Sequence, residues 1–279
     1  MKRICMIGLA LALVFALSGC SLRSATMRYR PIDDIHDLDG RRIGVSLAWS
    51  ADYLLTGRED MELMRYNSLA DAVVAMCYKR VDAIAIERAF ASTVLRSVQG
   101  VRIVEAPLAT TSMLAFVNKN RPDILSQFNE FVEEFPKTPE YADLMRRVRG
   151  IDEEFEERYV APTGTGPVLR VGMESGIYPF IYYNYEDDAH YGMDAEIITH
   201  FANAYNYRIE FTDSSYEAMI QSLVAGRLDI CIGGLSEFYR EEVELSRGAF
   251  VSEPYMDMDI VFVEIDDASK LKIVANIAL

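Results

Sequence analysis

Hydrophobic and polar positions mark out elements most clearly between Leu169 and Val263. The apolar run Leu169-Arg170-Val171-Gly172-Met173 predicts a strand, and an aromatic turn over residues 176–183 follows it, containing Tyr178-Pro179-Phe180. From Tyr191 the apolar residues recur with a helical period to about Asn206. A strand at Tyr207–Phe211, a helix at Tyr216–Ala225 and a strand at Ile230–Ile232 come next, with Gly226-Arg227-Leu228-Asp229 turning between the last two. Gly233-Gly234-Leu235-Ser236 turns out of that strand. Strands alternating with helices of about ten residues predict a parallel sheet with helical crossovers. Ligands in such sheets sit beyond the carboxyl ends of the strands, where the aromatic and glycine turns fall.

The preceding half has the same rhythm. Strands are expected at Arg42–Ser46, Glu62–Tyr66, Ala83–Ile86, Arg102–Glu105 and Met113–Val117. Helices are expected at Ser68–Tyr78, Phe90–Ser97, Asp123–Phe135 and Pro139–Arg149, with Pro122-Asp123 starting the third. A loop holding the sole tryptophan, Trp49, precedes a short helix that Ser50 or Asp52 is placed to cap. Ser68–Ile86 and Tyr216–Ile232 echo each other as helix, basic-x-Asp turn and buried strand. Two related α/β lobes with a cleft between them are the natural reading. They occupy residues 32–150 and 169–265, joined by a solvated linker at 151–168 and followed by a tail at 266–279.

Composition narrows the possibilities. Hydrophobic residues at 51% and charged residues at 25% fit a soluble globular protein, and a net charge of −15 argues against nucleic acid as a partner. The three histidines are scattered and no CxxC occurs, so no metal site and no cofactor are expected. Cys77 and Cys231 fall in apolar settings that suit buried free thiols. Lys2 and Arg3 precede an apolar stretch, Ile4–Leu17, of signal-peptide length. It ends in Leu17-Ser18-Gly19-Cys20, which resembles the lipobox of bacterial lipoproteins. That resemblance implies removal of residues 1–20 up to a lipidated Cys20, a tether at 21–31, and a membrane-anchored place in the cell envelope on its periplasmic or extracellular side. An ordinary cleaved signal with a coincidental cysteine is the alternative; either way the chain leaves the cytoplasm.

From Leu169-Arg170-Val171-Gly172, Tyr178-Pro179-Phe180, Gly192-Met193-Asp194-Ala195-Glu196, Gly226-Arg227-Leu228-Asp229 and Ser252-Glu253-Pro254-Tyr255, the second half resembles the first lobe of the family 3 extracellular solute-binding proteins. From Asp37-Leu38-Asp39-Gly40-Arg41-Arg42-Ile43-Gly44-Val45 and Arg80-Val81-Asp82-Ala83, with the helical residues 123–150, the first half resembles that family's second lobe and closing helices. The resemblance implies a periplasmic-binding-protein-like (type II) two-lobe α/β fold, each lobe a mainly parallel sheet with flanking helices. It implies capture of a small polar ligand, an amino acid, by hinge closure, and delivery to an ABC-type permease without catalysis. The halves stand in the reverse of the family's order. A circular permutation whose ends meet near the hinge accounts for this, the strand Met256–Val263 lying near residues 27–32; a piece of a longer tandem protein is the alternative.

The same resemblance assigns a site. Arg240 is the candidate clamp for a ligand carboxylate, although its segment is about a residue short and lacks the usual threonine-proline; a surface arginine paired with Glu241 or Glu244 is the other reading. Ser236 and the N–H groups around Gly234 are further donors. Glu87 stands where the family has the acid that receives the ammonium group; otherwise it pairs Arg88 at the surface. Tyr178 and Phe180 match the aromatics flanking the ligand, and Trp49 and Ser50 occupy the loop that binds its carboxylate at a helix start. Trp49 replaces a small residue there and narrows or fills the pocket. Asp194 and Glu196 are read as structural. Two other functions remain open on this fold: a dehydratase-like enzyme with Glu87 or Glu174 as its acid, and a sensor that has lost its ligand.

Overall fold

The computed structural model describes residues 31–149, 158–245 and 248–274; the expected leader, Cys20 and most of the tether lie outside them, as do residues 150–157 and 275–279. The expected strand segments form the parallel strands of the two sheets. In the earlier half these are β1 (Arg42–Ser46), β2 (Glu62–Tyr66) and β3 (Ala83–Glu87), connected by helices α1 (Ser50–Leu55) and α2 (Leu69–Cys77), with α3 (Arg88–Ser97) following β3. In the later half they are β8 (Val168–Met173), β11 (Arg208–Asp213) and β12 (Ile230–Cys231), connected by α6 (Met193–Ala204) and α7 (Tyr216–Val224). Every residue of β3 is buried, as a strand covered on both faces must be.

Each sheet is completed by a strand from the other half of the chain. The first has the order β2-β1-β3-β14-β5, where β5 is Val101–Ile103 and β14 is Met256–Ile265. Strands β1, β2 and β3 pair in parallel, and β14 runs antiparallel beside β3. The second has the order β11-β8-β12-β7-β13, where β7 is Phe116–Asn118 and β13 is Ala249–Val251. Here β8 pairs in parallel with β11 and β12, and β7 runs antiparallel beside β12. The single strand expected at Met113–Val117 is therefore two, β6 (Ala109–Met113) and β7, because the chain passes from one sheet to the other at Leu114-Ala115. The result is a two-lobe α/β architecture with mixed sheets.

The internal echo has a physical basis. Asp82 accepts the Arg42 N–H at 2.9 Å and pairs with the Arg42 guanidinium at 2.8 Å. Asp229 accepts the Arg170 N–H at 2.9 Å and pairs with its guanidinium at 2.7 Å. In both lobes the turn aspartate thus ties the start of the third strand to the first. Burial raises both carboxyls, but the arginine hydrogen bonds win and hold them below their ordinary value.

Helix α4 (Pro122–Glu134) packs on α6 through Phe128 and Phe131 against Phe201, with ring centroids 5.2 and 5.7 Å apart, and α5 (Pro139–Arg149) follows it. Arg147 and Glu196, both buried, form a bidentate pair at 2.8 and 2.6 Å beneath them. The described part of the expected linker is docked. Thr163 and Thr165 donate backbone N–H groups to the Asn203 and Asn206 side chains at 2.7 and 2.9 Å, because these asparagines end α6 with free amide oxygens facing the passing chain. Cys77 and Cys231 are free thiols. At the other end, the Ile32 N–H donates to Glu264 of β14 at 3.1 Å.

Removing one partner of a buried ion pair leaves the other charge uncompensated. Asp143 still accepts from the Arg147 Nε at 2.9 Å and softens that loss, so Glu196→Ala is expected to cost about 3 kcal/mol in chemical denaturation, whereas Arg147→Met with Glu196→Leu is expected to recover most of it. A double variant no more stable than Glu196→Ala would show that the pair does more than neutralise charge.

Candidate ligand-binding cleft

A cavity of about 500 Å³ lies where the two sets of strand ends face each other. The first lobe in the chain lines it with Leu47, Ala48, Trp49, Ser50, Tyr53, Asn67, Glu87 and Phe90. The second lines it with Glu174, Ile177, Phe180, Tyr216, Glu217, Met219, Gly233, Gly234, Leu235, Tyr239 and Glu242, and Met113 lies at the crossing.

Local sequence explains these positions. Glu87 is both the last residue of β3 and the N-cap residue of α3, so the strand end delivers its carboxylate beside a helix N-terminus. Trp49, rather than Ser50 or Asp52, is the N-cap residue of α1, and Ala48 before it holds φ +62° in the left-handed region. Asp52 instead accepts the Ala48 N–H at 3.0 Å and pairs with Arg65 at 2.8 Å. Opposite them, Phe180 is set by Gly192: a Cβ there would stand 2.4 Å from the Phe180 carbonyl oxygen, so only glycine lets the aromatic turn seat on α6.

The two lobes touch across the cavity floor. The Ser50 and Ser236 hydroxyls hydrogen-bond to each other at 3.1 Å, and the Tyr239 hydroxyl donates to the Ala48 carbonyl at 2.9 Å. Phe90 packs on Trp49 and Phe180 with centroids 4.8 and 5.2 Å apart. Tyr239 packs on Tyr53 and Tyr216 at 5.8 and 5.2 Å.

The structure brings together Trp49, Ser50, Glu87, Phe180 and Gly234 of the residues expected from sequence. It separates the others. Arg240 is not among the lining residues; it opens α8 (Arg240–Leu245) and binds Glu237 at 2.6 and 3.0 Å and Glu244 at 3.5 Å. Three- and four-residue spacing along one helical turn favours those acids as its partners. Ser236 is fully buried beneath the cavity and engaged with Ser50. The Gly234 N–H is taken by Asp194 Oδ2 at 2.6 Å. Tyr178, after which the peptide to Pro179 is cis, packs its ring against Tyr182 and is not among the cavity-lining residues. The expected carboxylate clamp is accordingly not assembled from these residues.

Sequence reading missed Tyr53, Phe90, Tyr216, Tyr239, Glu217 and Glu242, and gave Glu174 only a nominal role. Glu174 directly follows β8, and the strand-end rule that selected Glu87 could have selected it too. Burial pushes the Glu87 carboxyl above the usual carboxylate range against hydrogen bonds from Ser50. Burial also raises Glu174, helped by Glu217 and Asp213 and opposed by the Tyr216 N–H. Asp194, fully buried, accepts from Gly234 and from the Tyr255 hydroxyl at 2.9 Å, yet burial pushes its carboxyl up to about 7.

Residues 169–269 match the model of the bacterial extracellular solute-binding proteins, family 3. The L-cystine-binding protein TcyA of Bacillus subtilis is 29% identical over 75 residues, which span 27% of this chain and 28% of that relative's own length. Among solved structures, the probable amino-acid ABC transporter extracellular-binding protein ytmK of Bacillus subtilis is 10% identical over 82% of this chain and 84% of its own, with a TM-score of 0.45. The ancestral amino acid-binding protein AncCDT-1, a precursor of cyclohexadienyl dehydratase, is 11% identical over 81% of each chain, with a TM-score of 0.41.

An acid held above its unfolded value of 3.8 binds more protons folded than unfolded, so its stabilising contribution is present below about pH 4 and is lost as pH rises through about 7. Asp194→Asn is expected to remove a fall on the order of 1 kcal/mol per pH unit across that window, measured by urea unfolding of both proteins at several pH values. Parallel stability curves for the two proteins would exclude a raised Asp194.

Proposed function

We propose that this chain, whose residues 169–269 carry the signature of the family 3 extracellular solute-binding proteins, captures a small polar solute between its two lobes for an ABC-type uptake system. The carrying observation is the cavity itself: strand ends, a helix N-terminus and aromatic side chains from both lobes converge on one open cleft of about 500 Å³, the size range of small-molecule sites. The family match points to binding rather than catalysis, and an amino acid is the solute class that the resemblance implies.

The reading extends to place and organisation. Lipidation of Cys20 would hold the protein on the outer side of a membrane, and no helix among the described residues is long and apolar enough to cross one. Circular permutation of one module is our account of the order of the halves. Each sheet takes one antiparallel strand from the other half, and Ile32 lies beside the end of β14, where a permuted chain would bring it.

Trp49 is the only tryptophan and lines the cavity, so its fluorescence reports occupancy directly. Titration of the protein with amino acids, cystine, diamines and dipeptides is expected to shift Trp49 emission for one class. The same solute should raise the melting temperature, by about 2.7 kcal/mol of stabilisation at a hundredfold excess over Kd. A cooperative melt with no spectral or thermal response to any of them would overturn the solute-binding reading.

A further inference from the structure

The chemistry of the cavity narrows the solute; this step rests on the solute-binding reading above. Four carboxylates line the space, Glu87 and Glu174 at the ends of interior strands of opposite lobes and the exposed Glu217 and Glu242. Among the described residues no arginine, lysine or histidine lines it. A zwitterion's carboxylate would therefore meet like charges without a cationic partner, while an ammonium group is attracted wherever it lies.

The acids alone would say little, but two further observations point to a cation. Glu87 is only 5% exposed, and its Oε2 is buried without a hydrogen-bond partner. An unpaired buried carboxylate oxygen is costly, and a bound donor removes that cost. Two aromatic groups also face the space: Trp49, Phe90 and Phe180, and Tyr53, Tyr216 and Tyr239. Their faces favour cations and cover methylene groups at the same time. The carboxylates are dispersed. Among the described residues no three acids, histidines or cysteines gather as a group able to hold a metal ion. Separate acids on opposite walls suit separate ammonium groups better than one compact divalent ion.

We propose that the cleft selects an organic polycation, an α,ω-diamine or short polyamine. One ammonium group binds Glu87 on one lobe, another binds Glu174 on the other, and the methylene chain lies against the aromatic faces. Such a ligand ties the lobes together through its own length, with no arginine clamp.

The test is calorimetric titration of the full chain in mild detergent with 1,4-diaminobutane, spermidine, L-lysine, L-cystine, L-leucine and calcium chloride. A diamine or spermidine is expected to bind at least about tenfold more tightly than every zwitterion, with Glu87→Gln and Glu174→Gln each weakening it by about 10–100-fold. Both variants should melt cooperatively, and Glu253→Gln, outside the cavity, should bind as the wild type does. Tighter binding of a zwitterion or of calcium would overturn the polycation assignment and leave solute binding standing. So would diamine binding that both glutamine variants leave unchanged. No binding of any probe by a cooperatively folded protein would overturn both readings.

Discussion

Two crossing segments that hydrogen-bond to each other hold this molecule together. Leu114-Ala115 and Ser252–Tyr255 pass side by side from one sheet to the other. The Ser252 N–H donates to the Ala115 carbonyl at 2.9 Å, the Tyr255 N–H donates to the Met113 carbonyl at 3.0 Å, and the Ala115 N–H donates to the Ser252 hydroxyl at 2.9 Å. Pairing continues on either side, Val251 with Phe116 in one sheet and Met256 with Met113 in the other. Neither sheet can be completed from its own half, because β14 enters one and β7 the other. The ribbon therefore does two jobs. It satisfies buried backbone groups that a crossing would otherwise leave unpaired, and it fixes the distance over which the two sets of strand ends face each other.

A buried polar cluster connects this ribbon to the cavity wall. Tyr255 on the crossing donates to Asp194 at the start of α6, and Asp194 accepts from Gly234 in the glycine turn. Bonding the Gly234 N–H into the framework gives the turn rigidity and removes it as a donor to the cavity. The cavity wall that results is polar chiefly through carboxylates and phenols. Its electrostatics thus follow from how the scaffold uses its N–H groups as much as from which side chains line it.

Much of this was legible along the chain. Apart from Met113–Val117, the expected helices and strands fall within a residue or two of where apolar periodicity put them, since that period is set by local backbone geometry, whereas Arg240–Leu245 and Ala249–Val251 were not expected. The basic-x-Asp turns signalled two related lobes, and Asp82 and Asp229 make equivalent bonds in each. Less legible were features that depend on a neighbour remote in sequence. The strand at Met113–Val117 reads as continuous because its apolar run is continuous; only the presence of two sheets divides it. The linker reads as solvated because it is polar, yet Asn203 and Asn206 hold its end.

The site shows the same division most clearly. The family resemblance pointed to Glu87, Phe180 and Trp49, and the structure sets all three around the cavity, Glu87 at the end of β3, Trp49 before α1 and Phe180 in the turn after β8. Arg240 could not be placed so. At the start of α8 its long side chain had acids within one helical turn to choose from, and the fold left it with Glu237 and Glu244 rather than with the cavity. By itself the sequence determined most of the elements, the two-lobe class and the strand ends that border the cavity, because those follow from periodicity and local turns. The tertiary structure decided which acids face one another and which donors are already spent, because a side chain's partner is set by what packs against it and not by its place in the chain.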